Sequence, residues 1–190
     1  MLPDLAARAR GGDHAAFAEL AAALAGRLAA VARLILRDEQ AAQDAVQEAL
    51  VDAWRDIRGL HEPERVEAWL RRILVHACQD RARADRRRAI HELRGDVVDL
   101  RIDDRLAEGS PSRGIEERDR LERALARLPA EQRAVLVLTY YLDLPLAEAA
   151  HTLAIPVGTM KSRLNRARLA LRAAIEADER TVVLAIGSAS

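Results

Sequence analysis

Between Asp13 and Leu36 the apolar residues Phe17, Leu20, Leu24, Leu28, Val31, Leu34 and Ile35 recur at steps of three and four. That spacing places them along one face of a helix, and Asp13, behind Gly11-Gly12, is suited to cap it. A second helix is predicted from about Glu39 to Ile57, with Ala42, Ala45, Val46, Ala49, Leu50, Ala53 and Trp54 on one face. The pattern breaks at Arg58-Gly59-Leu60-His61-Glu62-Pro63. Pro63 suits the first turn of a third helix, since its missing N–H would lack a partner there in any case. That helix buries Val66, Trp69, Leu70, Ile73, Leu74 and Ala77 and ends in arginines near Arg88.

From about residue 89 to 114 no apolar face survives. Gly95, Gly109, Ser110, Pro111, Ser112 and Gly114 stand among scattered charges, a composition that reads as a linker. Helical spacing resumes at Ile115. Leu121, Leu125 and Leu128 mark one helix, closed by Pro129. Glu131 to Leu142 marks the next, with Val135, Leu136, Leu138 and Tyr141 expected inward. Pro145 opens a short helix to about Leu153, and a final helix is expected from Thr159 to about Ala177. The expected fold is therefore all-α: two small helical domains, residues 1–88 and 115–178, joined by a flexible linker. The tail 179–190, with its apolar stretch Val182–Ile186, reads either as disordered or as a docking segment.

Composition narrows the picture. Half of the 190 residues are apolar but only 3% are aromatic, so the cores must be built from Ala, Leu, Val and Ile. Cys78 is the single cysteine, which excludes a disulfide framework and a cysteine-based zinc site, and reads as a small core residue. The five histidines, 14, 61, 76, 91 and 151, show no metal-ligand spacing. There is no phosphate-cradling glycine loop and no nucleophile motif, so neither an enzyme nor a cofactor is expected. The start lacks the basic and apolar regions of a secretory signal, and no uninterrupted apolar run approaches about 20 residues. A soluble, cytoplasmic chain without a membrane segment is expected.

Thirty basic residues balance thirty acidic ones, but they are segregated. From Asp38 to Asp56 six acids face Arg55 alone. From Arg71 to Arg88 seven arginines face Asp80 and Asp85. The linker is acidic, and Pro156 to Arg172 holds four arginines and Lys161 with no acid. Clusters of this kind release counterions from a nucleic-acid backbone, although a solvated helix face would share the same charge.

The sharpest local signal runs from Leu144 to Arg172. A short helix carrying Ala147, Ala150 and Leu153 meets a tight turn at Ile155-Pro156-Val157-Gly158. A second helix then opens at Thr159, whose hydroxyl can cap it. In a helix-turn-helix the start of the second helix enters the major groove. Here it offers Thr159, Lys161, Ser162, Arg163, Asn165, Arg166 and Arg168, while Leu164, Ala167, Leu169 and Leu171 remain for packing. Arginine can bond guanine bidentately and asparagine adenine, each pair worth about 1–3 kcal/mol of discrimination.

These segments together resemble an extracytoplasmic-function (ECF) sigma factor, the minimal form of the sigma-70 family. The resemblance rests on Asp44-Ala-Val-Gln-Glu48 with Ala53-Trp54-Arg55, on Ala68-Trp69-Leu70-Arg71-Arg72-Ile73, and on Asp80-Arg81 before Arg86-Arg87-Arg88. In the second half it rests on Leu128-Pro129-Ala-Glu-Gln-Arg133 and Pro156-Val-Gly-Thr-Met-Lys-Ser-Arg163. It covers about residues 13–88 and 115–175.

The resemblance implies a transcription initiation factor with core RNA polymerase, promoter DNA and a cognate anti-sigma factor as partners. It implies polymerase docking through Asp44, Gln47, Glu48 and Asp52. It implies reading and melting of the −10 element by the 59–62 loop and the Trp69 helix, with His61, Trp69, Arg72, His76, Asp80, Arg81 and Arg83 as contacts. It assigns the −35 element to the helix from Thr159 to Arg172. Where the family often has asparagine near the end of the Trp69 helix, this sequence has His76. Trp54 and Trp69, on apolar faces, read equally as core residues. Two other functions share parts of the pattern. A standalone helix-turn-helix regulator would bind promoter DNA without polymerase. A module that only titrates a regulator would be indifferent to neutralising Lys161 and Arg166.

Overall fold

A computed structural model describes residues 1–93 and 113–187; most of the expected linker, and residues 188–190, lie outside the described residues. The described residues form helices α1 Leu2–Arg10, α2 His14–Leu36, α3 Glu39–Asp56, α4 Val66–Leu93, α5 Arg113–Ala126, α6 Ala130–Leu136, α7 Leu146–Thr152 and α8 Val157–Gly187. Short 3₁₀ turns at Ile57–Gly59 and Pro63–Arg65 join α3 to α4.

The caps follow from sequence. The Asp13 Oδ1 accepts from the Ala16 amide at 3.0 Å and Asp38 Oδ1 from the Ala41 amide at 2.6 Å, each satisfying an amide that the first turn leaves without a partner. The Ala16 amide, with Arg8 beside it, holds the Asp13 carboxyl below the usual carboxylate range. On α3, Ala42, Ala45, Ala49 and Ala53 are all buried, a stripe of methyl groups that lets α2 and α4 approach closely. Leu20, Ile35, Leu70 and Leu74 fill the space between, each fully buried and contributing about 1.5–3 kcal/mol by leaving water.

In the second half, α5, α6 and α7 pack on α8. A small cluster of Ala124, Leu128, Leu136, Ala167 and Ala174 joins α5, α6 and α8. The larger core does not stop at the front half: Ile35, Leu28 and Leu70 belong to the same buried cluster as Ala134, Leu138, Leu153 and Met160. The two helical units thus pack against each other.

Several sequence expectations are corrected. Leu2–Arg10 is a helix, which places Leu5, Ala6 and Ala9 in the core. Tyr141 is exposed rather than inward, because the chain forms a π-turn over Val137–Tyr141. The Leu142 amide bonds the Val137 carbonyl, five residues back, and the extra residue per turn swings Tyr140 and Tyr141 outward. Leu169, expected to pack, is 60% exposed. The last helix begins at Val157, with Met160 N–H bonded to the Pro156 carbonyl, so Thr159 lies inside the first turn and is not the cap. It also runs to Gly187, making the start of the expected tail a continuation of α8. Finally, α2 is long and apolar enough by composition to cross a membrane, contrary to the expectation that no run approaches that length. Its apolar residues are a core face: Ala16, Leu20, Leu24, Leu28, Val31, Ala32 and Ile35 are buried against α1, α3, α4 and α6.

Candidate nucleic-acid interface

The turn before α8 is tight. Leu153 ends α7, Ala154 takes a left-handed φ of 50°, and the Ile155 amide bonds the Ala150 carbonyl. A left-handed alanine costs roughly 1–2 kcal/mol, which the packing of Ala150, Leu153 and Met160 on either side must offset. Met160 and Ala167 point inward with no exposure. That orientation leaves Lys161, Ser162, Asn165, Arg166 and Arg168 exposed, with Thr159 and Arg163 half-buried at the edges.

The Ser162 hydroxyl donates to the Thr159 carbonyl at 2.9 Å, and Arg166 Nε to the Ser162 carbonyl at 3.4 Å. Among the described residues no carboxylate pairs with Lys161, Arg163, Arg166 or Arg168; the first acid on α8 is Glu176, which takes Arg172 at 2.9 Å. Positive side chains here add to the partial positive charge of a helix N-terminus, a combination that attracts phosphate.

On α4 the helical pitch puts Trp69, Arg72, His76, Asp80 and Arg83 along one stripe. Trp69 is half-buried and Arg72 exposed; with His61 they wall a cleft of about 270 Å³ whose far side is Glu148, His151 and Thr152. The Nε2 of His76 lies 3.1 Å from the Thr152 carbonyl. Asp80 and Arg83 form an exposed ion pair at 3.1 Å. Arg81 leaves this group. It turns to Asp44 on α3 at 2.5 Å, and its Nε is buried without a hydrogen-bond partner.

The residues expected to dock polymerase divide in the same way. Gln47 and Glu48 are exposed, and Asp52 is half-buried with Arg55 at 3.4 Å. Asp44 is held between Arg81 and the Gln40 side-chain amide, which donates at 3.0 Å. Trp54 is packed: its ring centroid lies 4.3 Å from that of His14 and 5.0 Å from that of Phe17. Cys78 is buried, and burial pushes its thiol up to about 12, so it is a protonated core residue.

Two features escaped the sequence reading. Arg133 stood only as part of a motif, yet it is a buried guanidinium donating to the carbonyls of Ile35 and Leu128, both at 2.5 Å, and Leu36 at 3.3 Å. Burial, with Arg37 nearby, pushes it down to about 10, still charged at neutral pH. The other is an open groove of about 670 Å³ beside α8, where Leu136, Tyr140, Leu169 and Ile175 come together. Helical spacing hides it, since the π-turn decides that Tyr140 faces outward.

Comparison with known proteins agrees with this layout. The family described as Sigma-70 region 2 matches residues 20–88, and that described as Sigma-70, region 4, matches residues 118–171. The ECF RNA polymerase sigma factor SigM of Mycobacterium tuberculosis is 36% identical over 160 residues, covering 84% of this chain and 77% of that protein. Two solved structures share the fold. CnrH in complex with the cytosolic domain of CnrY has a TM-score of 0.63 and 29% identity, covering 93% of this chain and 98% of that one. The sigma factor RpoE in complex with the anti-sigma factor NepR, from Bartonella quintana, has a TM-score of 0.62 and 25% identity, covering 85% and 98%. A helix-turn-helix with an acid-free exposed face, behind a helical unit that carries its own acidic and arginine-rich helices, is here the arrangement of a transcription initiation factor, and the chain belongs to the ECF sigma factors of the sigma-70 family.

Proposed function

We propose that residues 1–88 act as a region 2-like domain that binds core RNA polymerase and reads the −10 element, and that residues 115–178 act as a region 4-like domain that reads the −35 element. Residues 89–114 serve as the tether. The observation that carries this reading is the solvent-facing, acid-free side of α8. Lys161, Ser162, Asn165, Arg166 and Arg168 meet the groove, and Thr159 and Arg163 flank it. Exposed Gln47 and Glu48, with Asp52, form the docking face for a basic surface of polymerase. Asp44 acts with Arg81 as a brace between α3 and α4. His61, Trp69, Arg72, His76, Asp80 and Arg83 line the path of the separated −10 strand, where rings stack bases and arginines hold phosphates.

The protein then works in the cytoplasm, as a binding factor without covalent chemistry of its own. An anti-sigma factor is its expected regulator, by analogy with the complexes of CnrH with CnrY and of RpoE with NepR. The test is reconstitution with bacterial core RNA polymerase. One-to-one binding that confers promoter-specific footprints is expected, weakened by Glu48→Lys at the docking step and by Arg166→Ala at the −35 step. Tight promoter binding by the chain alone, unchanged by polymerase, would overturn the assignment in favour of a standalone regulator.

A further inference from the structure

We propose that the cleft bounded by α4 and the starts of α3 and α6 is a binding site for a compact diphosphate anion, held by Arg81, Arg86 and Arg133. It stands on these side chains and not on the promoter reading.

The cleft has a volume of about 550 Å³ and opens to solvent. Its lining sets three arginines against two aspartates, and both acids already hold partners. Asp38 Oδ1 accepts from the Ala41 amide at 2.6 Å, and Asp85 Oδ1 from Arg88 at 2.8 Å. The arginines are less complete. Arg133 is only 8% exposed, yet among the described residues it forms no ion pair with a carboxylate. Its bonds go to the carbonyls of Ile35, Leu128 and Leu36, one from each nitrogen. A guanidinium has five N–H groups, so one hydrogen is left on each terminal nitrogen. Carbonyl dipoles satisfy hydrogen bonds without neutralising a buried charge, and Arg37 acts on this one more strongly than Glu131 does.

Arg81 supplies the second cation. Its Nη2 is taken by Asp44 at 2.5 Å, while its Nε is buried without a hydrogen-bond partner, an unmade bond that costs free energy. Arg86 is the third, exposed and 3.2 Å from Glu131, a surface pair that gives way readily to a stronger anion. Arg81 and Arg86 stand five residues apart on one helix, which separates their Cα atoms by about 7.5 Å along its axis. A single carboxylate or phosphate is too short to span both and Arg133. Two linked phosphates offer acceptors at either end, and guanidinium forks match phosphate oxygens. No aromatic side chain lines the cleft, so nothing there stacks a nucleobase. Leu36, Leu128, Pro129 and Ala130 supply apolar wall instead, which strengthens the attraction between charges by excluding water.

The test is calorimetric titration of the full chain with sodium pyrophosphate at fixed ionic strength. Saturable one-to-one binding is expected, at least about tenfold tighter than that of sulfate, since each further charged hydrogen bond is worth roughly that factor. ADP should bind no tighter than pyrophosphate. Arg81→Lys keeps the charge beside Asp44 but replaces the fork with one donor point, and should weaken binding by about tenfold. Arg86→Ala, at a side chain 56% exposed, should weaken it with helix content unchanged. If Arg81→Lys loses helix content, Arg86→Ala decides alone. Lys161→Ala with Arg166→Ala should leave pyrophosphate binding as it is. Pyrophosphate held no tighter than sulfate would overturn the site. Binding that survives Arg86→Ala and disappears in the α8 pair would place the anion on α8 and overturn the cleft. Binding of ADP without binding of pyrophosphate would overturn the compact anion as its ligand.

Discussion

Residues 71–88 of α4 and 157–172 of α8 read alike in sequence, since each is an arginine-rich helical run with a large positive excess. In the fold they differ. Five of the seven α4 arginines are in ion pairs: Arg71 with Glu148, Arg81 with Asp44, Arg83 with Asp80, Arg86 with Glu131 and Arg88 with Asp85. On α8 only Arg172 is paired with a carboxylate among the described residues, and that pair lies beyond Arg168. Net charge along a helix therefore does not measure readiness to bind phosphate. What counts is whether the cations already have partners, and on α4 three of those five partners come from other helices.

The comparison can be broken most directly on α8. Replacing Lys161 and Arg166 together by Ala should reduce the slope of log affinity against log salt by about two, and should cost about 1–3 kcal/mol of −35 discrimination for each base that is no longer read. Salt-dependent anisotropy of the reconstituted holoenzyme on promoter and scrambled DNA measures both. An unchanged slope would mean that these free cations touch nothing.

A second contrast lies within α8. Its far end carries Asp178, 5% exposed, which accepts from Arg123 and Arg127, each at 2.7 Å. Asp178→Asn should lower stability by about 1–3 kcal/mol in urea unfolding while leaving the −35 preference intact, because it weakens the joint between α5 and α8 and no reading residue.

Cys78 reports on the buried side of α4. Its thiol is raised to about 12 in the fold against an ordinary 9, so below pH 9 it contributes no pH dependence. Above 9 the unfolded chain loses the proton first, and stability should fall by about 1.4 kcal/mol per pH unit until near 12. A thiol reagent at pH 8 should leave Cys78 unmodified, and labelling there would show α4 coming away from its neighbours.

The smallest effect is expected on the α4 surface. Asp80→Ala with Asp85→Ala frees Arg83 and Arg88, whose pairs are exposed, so stability should change by less than about 0.5 kcal/mol. Non-specific DNA affinity should nevertheless rise and its salt dependence steepen, making α4 behave more like α8.

Much of the fold was legible because it is local. Asp13 marked the start of α2, and the three-and-four spacing gave the buried faces of α2, α3 and α4. Pro145 and Pro156 stood where helices begin. The exposed, acid-free face of α8 was legible too, since a turn, an acid-free run and polar residues all lie within one stretch. Misses occurred where a neighbour or a backbone irregularity intervened. Tyr141 was expected inward on a regular pitch, but the π-turn moved it. Leu169 was expected to pack, and it lines an open groove. The helix at Leu2–Arg10 is short, and its apolar face gains meaning only from α2 behind it.

Taken by itself, the sequence determined most of the helices, the Asp13 cap, the segregation of charge and the family, because these depend on residues within a few turns of one another. Only the tertiary structure decided which charges are available. Arg81 and Asp44 lie 37 residues apart, Arg71 and Glu148 77, and Arg133 and Ile35 98. A charge in a linear pattern has no direction. Packing gives it one, by bringing to it, or withholding from it, the oxygen that takes its hydrogen bonds.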